Sequence, residues 1–198
     1  VTVDNITKGI RDGYAIKKLS DIAEFVTTSR KGFMVSESIK HISVLHVNSN
    51  STINFNEVEQ FVPVSKGRKV EAGDLIFSKL NPRIPRMAVV PKKEYDLVCS
   101  NEFEIIRPMG DIDAYMLCFL LKTSNVMVQI ESMTSGTSSS HSRIKREQLG
   151  EILLPVPVSD DERKRCKELG EKLKKAVEEI YQGESIISEQ QKYLTKLA

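Results

Sequence analysis

The chain has 198 residues, is 40% hydrophobic and 28% charged, and carries a formal net charge of +2. That is ordinary soluble-protein composition, long enough for one compact domain with a sizeable core and an appendage. No run of ~18 apolar residues is present, which excludes a membrane-spanning helix of the usual kind, and a charge so near zero identifies no partner by itself.

The opening VTVDNITKG lacks the basic-then-apolar layout of a signal peptide. It also lacks an initiator Met, which points to a processed chain or one cut from something longer. Cys99, Cys118 and Cys166 are an odd, scattered set. They read as reduced thiols of a cytoplasmic protein, with no disulfide frame and no metal site.

In AIKKLSDIAEFV (15–26), Leu19, Ile22, Ala23 and Val26 fit a helical stripe with Ser20 as a possible cap. TTSRKGF is a polar loop. HISVLHV (41–47) is β-branched and alternating, which predicts a strand, and 48–69 reads as turns with short strand pieces. His41 and His46, five apart on such a strand, would lie on opposite faces and could not share a metal. The Ala72-Gly73-Asp74 turn launches Leu75-Ile76-Phe77, a buried strand. Two prolines in NPRIPR interrupt the pattern, and MAVV and DLVCSNEFEIIRP give further strands. From 111 the period changes. Ala114, Leu117, Leu120 and Leu121 predict one helix ending near Lys122, and a second covers about 124–132. KREQLGEILLPVP is a helical turn and then an extended exit set by Pro155 and Pro157.

From Asp160 the pattern is heptad. Cys166, Leu173, Ile180, Ile187 and Leu194 are spaced by seven, as are Leu169, Ala176, Gly183, Gln190 and Leu197. A seam of this length predicts a single helix about 55 Å long. The helix-pairing positions are Cys166, Leu169, Leu173, Ala176, Ile180, Ile187, Leu194 and Leu197. Their partner is either a second helix or the chain's own body; the projecting arm is the reading adopted.

Two stretches are cationic without any acid: Lys79, Arg83, Arg86, Lys92 and Lys93 within 78–93, and Arg143, Lys145 and Arg146 within 134–146. Solvated turns would look the same, but paired cationic loops also suit an anionic partner met at one face. Arg83, Arg86 and Arg143 have the fork geometry for base edges. Lys79 and Lys145 suit phosphates. Thr137, Ser138, Ser139 and His141 add hydroxyl and imidazole donors, and Gly136 would let backbone approach an anion. Catalytic hardware is missing. Ser138-Ser139-Ser140-His141 sits in no nucleophile elbow. Asp161-Glu162-Arg163-Lys164 has an E-x-K but reads as a solvated helix start. Asn81-Pro82-Arg83 lacks the second proline and aromatic of the amino-methyltransferase tetrad, and no nucleotide-binding glycine loop exists.

The order of features resembles one target-recognition half of a type I restriction–modification specificity subunit, from Lys18 to the C-terminus. KLSDIAEFVTTSRKGF, VEAGDLIFSKL and MTSGTSSSHSRIKREQLGEILLPVP are similar to three family segments, and the heptad helix to the spacer that follows them. Pro157-Val158-Ser159-Asp160-Asp161-Glu162 departs from the family's Pro-Pro-x-x-E-Q. The family carries two recognition halves; this chain carries one, as would a half-length subunit that dimerises, a fragment, or the specificity domain of a fused restriction–methylase. The resemblance implies an α+β fold: a mainly β target-recognition domain over 1–157 with a few short helices, then a long coiled-coil helix over 158–198. It implies a non-catalytic protein that reads one half of a double-stranded DNA site through Arg30, Lys31, Lys79, Asn81, Arg83, Arg86, Thr137, Ser138, Ser139, His141, Arg143 and Lys145. It would dock methyltransferase subunits and a restriction subunit, and pair through its helix with a second copy or a second recognition half. No cofactor is expected of it; S-adenosylmethionine, magnesium and ATP would belong to those partners. The alternative is a protein-interaction scaffold assembling through the helix without specific DNA binding.

Overall fold

In the computed structural model, which describes residues 9–27, 32–134 and 142–197, the apolar run after Ala72-Gly73-Asp74 becomes the central strand. Gly73 holds φ +94°, a setting that L side chains avoid and glycine accepts. Asp74 closes the turn by accepting the Glu71 N–H at 2.9 Å and both arms of Arg107 at 2.8 and 3.1 Å. Strand β5 (Leu75–Ser78) pairs antiparallel with β6 (Met87–Val89) and with β8 (Phe103–Pro108). Strand β2 (Ala23–Phe25) joins β8, giving a sheet of order β2-β8-β5-β6. Side chains alternate between its faces. Leu75, Phe77, Met87, Val89 and Ile106 enter one core; Ile76, Ala88, Val90, Phe103 and Ile105 enter another. A strand buried on both faces must be apolar throughout, which is why LIF shows no alternation.

The first core is covered by the one-turn α1 (Leu19–Ile22), by α3 (Ala114–Leu120), α4 (Ser124–Met133) and α5 (Arg146–Gly150), and by the ribbon of β1 (Tyr14–Lys18) and β9 (Leu153–Pro157). The second is closed by a sheet of order β3-β7-β4, built from β3 (Ile39–Ile42), β7 (Asp96–Cys99) and β4 (Arg68–Val70), in which β3 and β7 are parallel. A 3-10 turn (Val44–His46) and α2 (Phe55–Gln60) complete it. The architecture is α+β.

Four local expectations are corrected. AIKKLSDIAEFV is not one helix: β1 and β2 flank the single turn of α1, whose Leu19 and Ile22 enter the core. The strand in HISVLHV stops at Ile42, because Ser43 starts the 3-10 turn. That turn brings His46 back beside His41, and both rings meet Phe61 edge-on at 4.8 and 5.8 Å between centroids. The two histidines therefore share a face. Among the described residues no group of three or more His, Cys, Asp or Glu is placed to hold a metal. Helix α2 stands where turns and short strand pieces are expected; Asn54 caps it by accepting the Glu57 N–H at 3.3 Å.

Helix α6 (Asp160–Thr195) starts at Ser159, whose Oγ accepts the Glu162 N–H at 3.3 Å. Its first five turns lie on the body. Glu162, Gly170 and Val177 are buried, Leu173 and Tyr181 pack on the core, and Tyr181 Oη accepts the Ile53 N–H at 3.0 Å. Glu162 is not a solvated residue: it accepts Tyr14 Oη at 2.9 Å and Arg165 at 2.7 Å. Tyr14 Oη also lies 3.4 Å from Cys166 Sγ. The body thus engages Cys166 and Leu173 from the expected pairing seam. Ala176 is exposed, and Leu169, Ile180, Ile187, Leu194 and Leu197 remain 37–67% exposed, joined by Ile186 and Tyr193. Among the described residues no helix is long and apolar enough to cross a membrane.

Candidate nucleic-acid interface

The strand directions gather several chain segments at one end of the sheets. Ser78 at the end of β5 lies opposite Phe103 at the start of β8. The Ser100 N–H reaches Ile42 O at 2.9 Å and the Lys79 N–H reaches Glu102 O at 2.8 Å. The turns after β3, β5 and β7 are therefore neighbours. The segment entering α5 docks beside them. Asn81 N–H donates to Ser142 O at 2.8 Å, Ile144 N–H to Lys79 O at 3.2 Å, and Leu80 and Arg143 form a β-bridge. Buried Ile144 anchors this segment to the core. The two cationic loops, 57 residues apart from Arg86 to Arg143 in sequence, are thus one surface. Turn 80–86 is braced from within. Asn81 sits at φ +47°, a left-handed conformation asparagine tolerates better than most side chains. Ser78 Oγ donates to Leu80 O at 3.0 Å and Pro82 is buried.

Segments 79–86, 100–104 and 142–146 together hold six Lys/Arg and two Glu. The loops are acid-free in sequence but not in space. Glu104, 4% exposed on β8, is a carboxylate that burial alone would penalise heavily. Lys79 Nζ at 3.3 Å and Arg146 at 2.8 Å neutralise it. Arg146 also donates to Thr27 Oγ1 at 3.1 Å and lies 6.0 Å from the Phe25 ring centroid. Lys79, expected on a phosphate, thus has its charge engaged from below. Arg143 forks onto Glu102 at 2.9 and 3.2 Å, which raises its pKa, first through the hydrogen bond and then through the charge. That pair is open to water, where such contacts are weak and exchangeable. Arg83, Arg86 and Lys145 have no ion pair among the described residues. Arg83 and Lys145 are exposed, and Arg86 Nη1 stands 3.5 Å from Val44 O.

Of the twelve residues expected to contact DNA, Lys79, Asn81, Arg83, Arg86, Arg143 and Lys145 come together here. Arg30, Lys31, Thr137, Ser138, Ser139 and His141 lie outside the described residues, as does the whole run Ser138-Ser139-Ser140-His141. Lys92 and Lys93 do not join the surface. They follow β6 to the other end of the sheet, where Lys93 Nζ stands 3.9 Å from the Phe55 ring centroid. Glu102, Glu104 and Thr27 were missed, and Arg146, visible as a cation of the 134–146 stretch, was given no role. Glu104 was findable: it occupies an interior position of the apolar strand FEII and so demands a cation. Two thiols are inert by burial, which pushes Cys99 up to about 12 and Cys118 up to about 11.

No family model matches the sequence, and no curated protein does. Solved structures do. The HsdS subunit from Thermoanaerobacter tengcongensis is 18% identical with a TM-score of 0.63, over 95% of this chain and 49% of that one. A chain solved in work on complex assembly and conformational transition of the type I R-M system is 19% identical with a TM-score of 0.61, over 96% and 50%. The type I restriction–modification S subunit from M. genitalium is 11% identical with a TM-score of 0.57, over 97% and 45%. The chain spans about half the length of these subunits, and it has the fold of one such half: a loop-bearing α+β body followed by a long helix.

Proposed function

We propose that the chain is a non-catalytic, sequence-specific recognition module for double-stranded DNA in a type I restriction–modification system. It reads one half of a target site with the loop end of its body. The observation that carries this reading is the convergence of 79–86 and 142–146 on one rigid, cationic surface. Arginines there can fork onto base edges while Lys145 meets phosphate. Arg30, Lys31 and the 137–141 donors belong to the same proposal, since Thr27 and Ser142, which adjoin their segments, both contact this surface. Lys79 and Arg146 support it from beneath.

The apolar positions left open on α6 call for a helical partner: a second copy, or the second recognition half of a longer assembly. Methyltransferase subunits and a restriction subunit would dock on that scaffold and supply S-adenosylmethionine, magnesium and ATP chemistry. Three free thiols fit a reducing cytoplasmic setting. A second reading, a scaffold without DNA specificity, is favoured by the same open helix.

Selection of bound duplexes from a random pool, followed by binding across a salt series, separates the two. The recognition module enriches one short motif and loses affinity linearly in log salt. A scaffold enriches none.

A further inference from the structure

Single apolar side chains on a surface are commonplace, but two of them stand at the loop end on backbone that holds them outward. Leu45 is 72% exposed in the middle of the 3-10 turn, between buried Val44 and His46. The turn is closed twice: His46 N–H donates to Ser43 O at 3.0 Å, and Ser43 N–H donates to His46 Nδ1 at 3.0 Å. Ile84 is 45% exposed between Pro82 and Pro85. Its N–H donates to Asn81 O at 3.0 Å and its carbonyl accepts the Arg86 N–H at 2.7 Å. Arg86 links the two sites, since its Nη1 stands 3.5 Å from the carbonyl of Val44, the residue before Leu45.

An arginine two residues from one rigidly presented apolar side chain, its guanidinium against the turn that presents the other, has a specific chemical complement. Phosphates call for cations alone and leave Leu45 and Ile84 without a role. A protein partner calls for a broad apolar patch with few charges at its centre, whereas this surface is cationic. The major groove offers the required mixture: the O6 and N7 acceptors of guanine for a guanidinium, and the C5 methyl of thymine for an apolar side chain. Resting on the DNA-recognition reading above, we infer that Leu45 and Ile84 determine specificity by packing on thymine methyl groups in the major groove, with Arg86 directed to a guanine edge between them. The half-site then contains thymine at the two positions these side chains meet.

The probe is the duplex that the full chain selects from a random pool. Each thymine is replaced in turn by deoxyuridine, which removes one methyl and keeps pairing and phosphates intact. Loss of one buried methyl weakens binding about fourfold, equivalent to ~0.8 kcal/mol. The wild type should show this loss at two positions. Leu45→Ala should be indifferent to the methyl at one of them and Ile84→Ala at the other; both side chains are exposed, so the fold is kept. The inference is overturned if the wild type binds every deoxyuridine duplex as tightly as the parent, or if both variants keep the wild-type preference for thymine. Failure to enrich any duplex overturns the DNA-recognition reading itself, and this inference with it.

Discussion

Two glycines of one helix respond differently to the same substitution if α6 is docked as described. A Cβ added at Gly170 would collide with Cγ and Oδ1 of Asp113, far inside the ~3.5 Å of ordinary carbon contact. Asp113 caps α3 by accepting the Met116 N–H at 2.8 Å. Making room means swinging Asp113 away, which loses about 1 kcal/mol of capping, or prising α6 off the body, an overpacking cost of about 1–3 kcal/mol. Alanine returns about 0.8–1 kcal/mol as the better helix former. Set against that return, Gly170→Ala nets between no gain and destabilisation of about 2 kcal/mol. At Gly183 a Cβ meets nothing within 4 Å, so Gly183→Ala keeps the whole propensity gain and stabilises by about 0.5–1 kcal/mol. Urea unfolding at constant protein concentration reads both. Equal stabilisation by the two variants would mean that Gly170 faces solvent and that the first half of α6 does not pack on the body.

Glu104→Gln leaves Lys79 and Arg146 without their shared carboxylate; the thermal midpoint should fall by several degrees, corresponding to about 1–3 kcal/mol, and an unchanged midpoint would contradict the buried role. Ile180→Asp with Ile187→Asp should abolish self-association or helical pairing while the body stays folded, read by sedimentation; an unchanged monomer before and after would remove the pairing role. Burial lowers the pKa of His41 and of His46, so the unfolded chain, with imidazole pKa ~6.5, takes up protons that the folded one refuses. Their contribution to stability is therefore complete above that value and lost as pH falls below it. The urea midpoint should be flat above pH ~7 and fall below ~6.5, less steeply in His41→Leu; parallel curves for the two proteins would refute the assignment.

The parts legible in sequence were those written locally. Leu75-Ile76-Phe77 is apolar because both faces of β5 are buried, and the period change at Ala114 marks α3 and α4 correctly. The heptad positions told that a long helix follows Asp160, yet not which stripe the body takes. That stripe runs through Glu162, Gly170 and Val177, and none of the three carries a heptad signature. Helix α2 spans six residues, too short for a period to appear. The loop surface was half legible: its cations were visible as runs, and its counter-ions were not, because Glu102 and Glu104 arrive from β8 and the turn before it, some 40 residues from Arg143 and Arg146 (41 and 42 by the contacts they make). Leu45 passed unnoticed as one more residue of a strand. Only the 3-10 turn turns it outward beside Arg86.

The measurement that bears most directly on the central claim is binding of Arg83→Ala/Arg86→Ala/Arg143→Ala to the selected duplex and to a scrambled duplex, each across a salt series. If these side chains read bases, the triple variant loses far more affinity for the selected duplex than for the scrambled one, about tenfold or more per contact, and the two duplexes converge. Lys145→Ala, a phosphate contact, should weaken both alike and reduce the salt slope by about one. Unchanged curves for the triple variant on both duplexes would mean that the converging loops are solvated turns and that DNA, if bound, is read elsewhere.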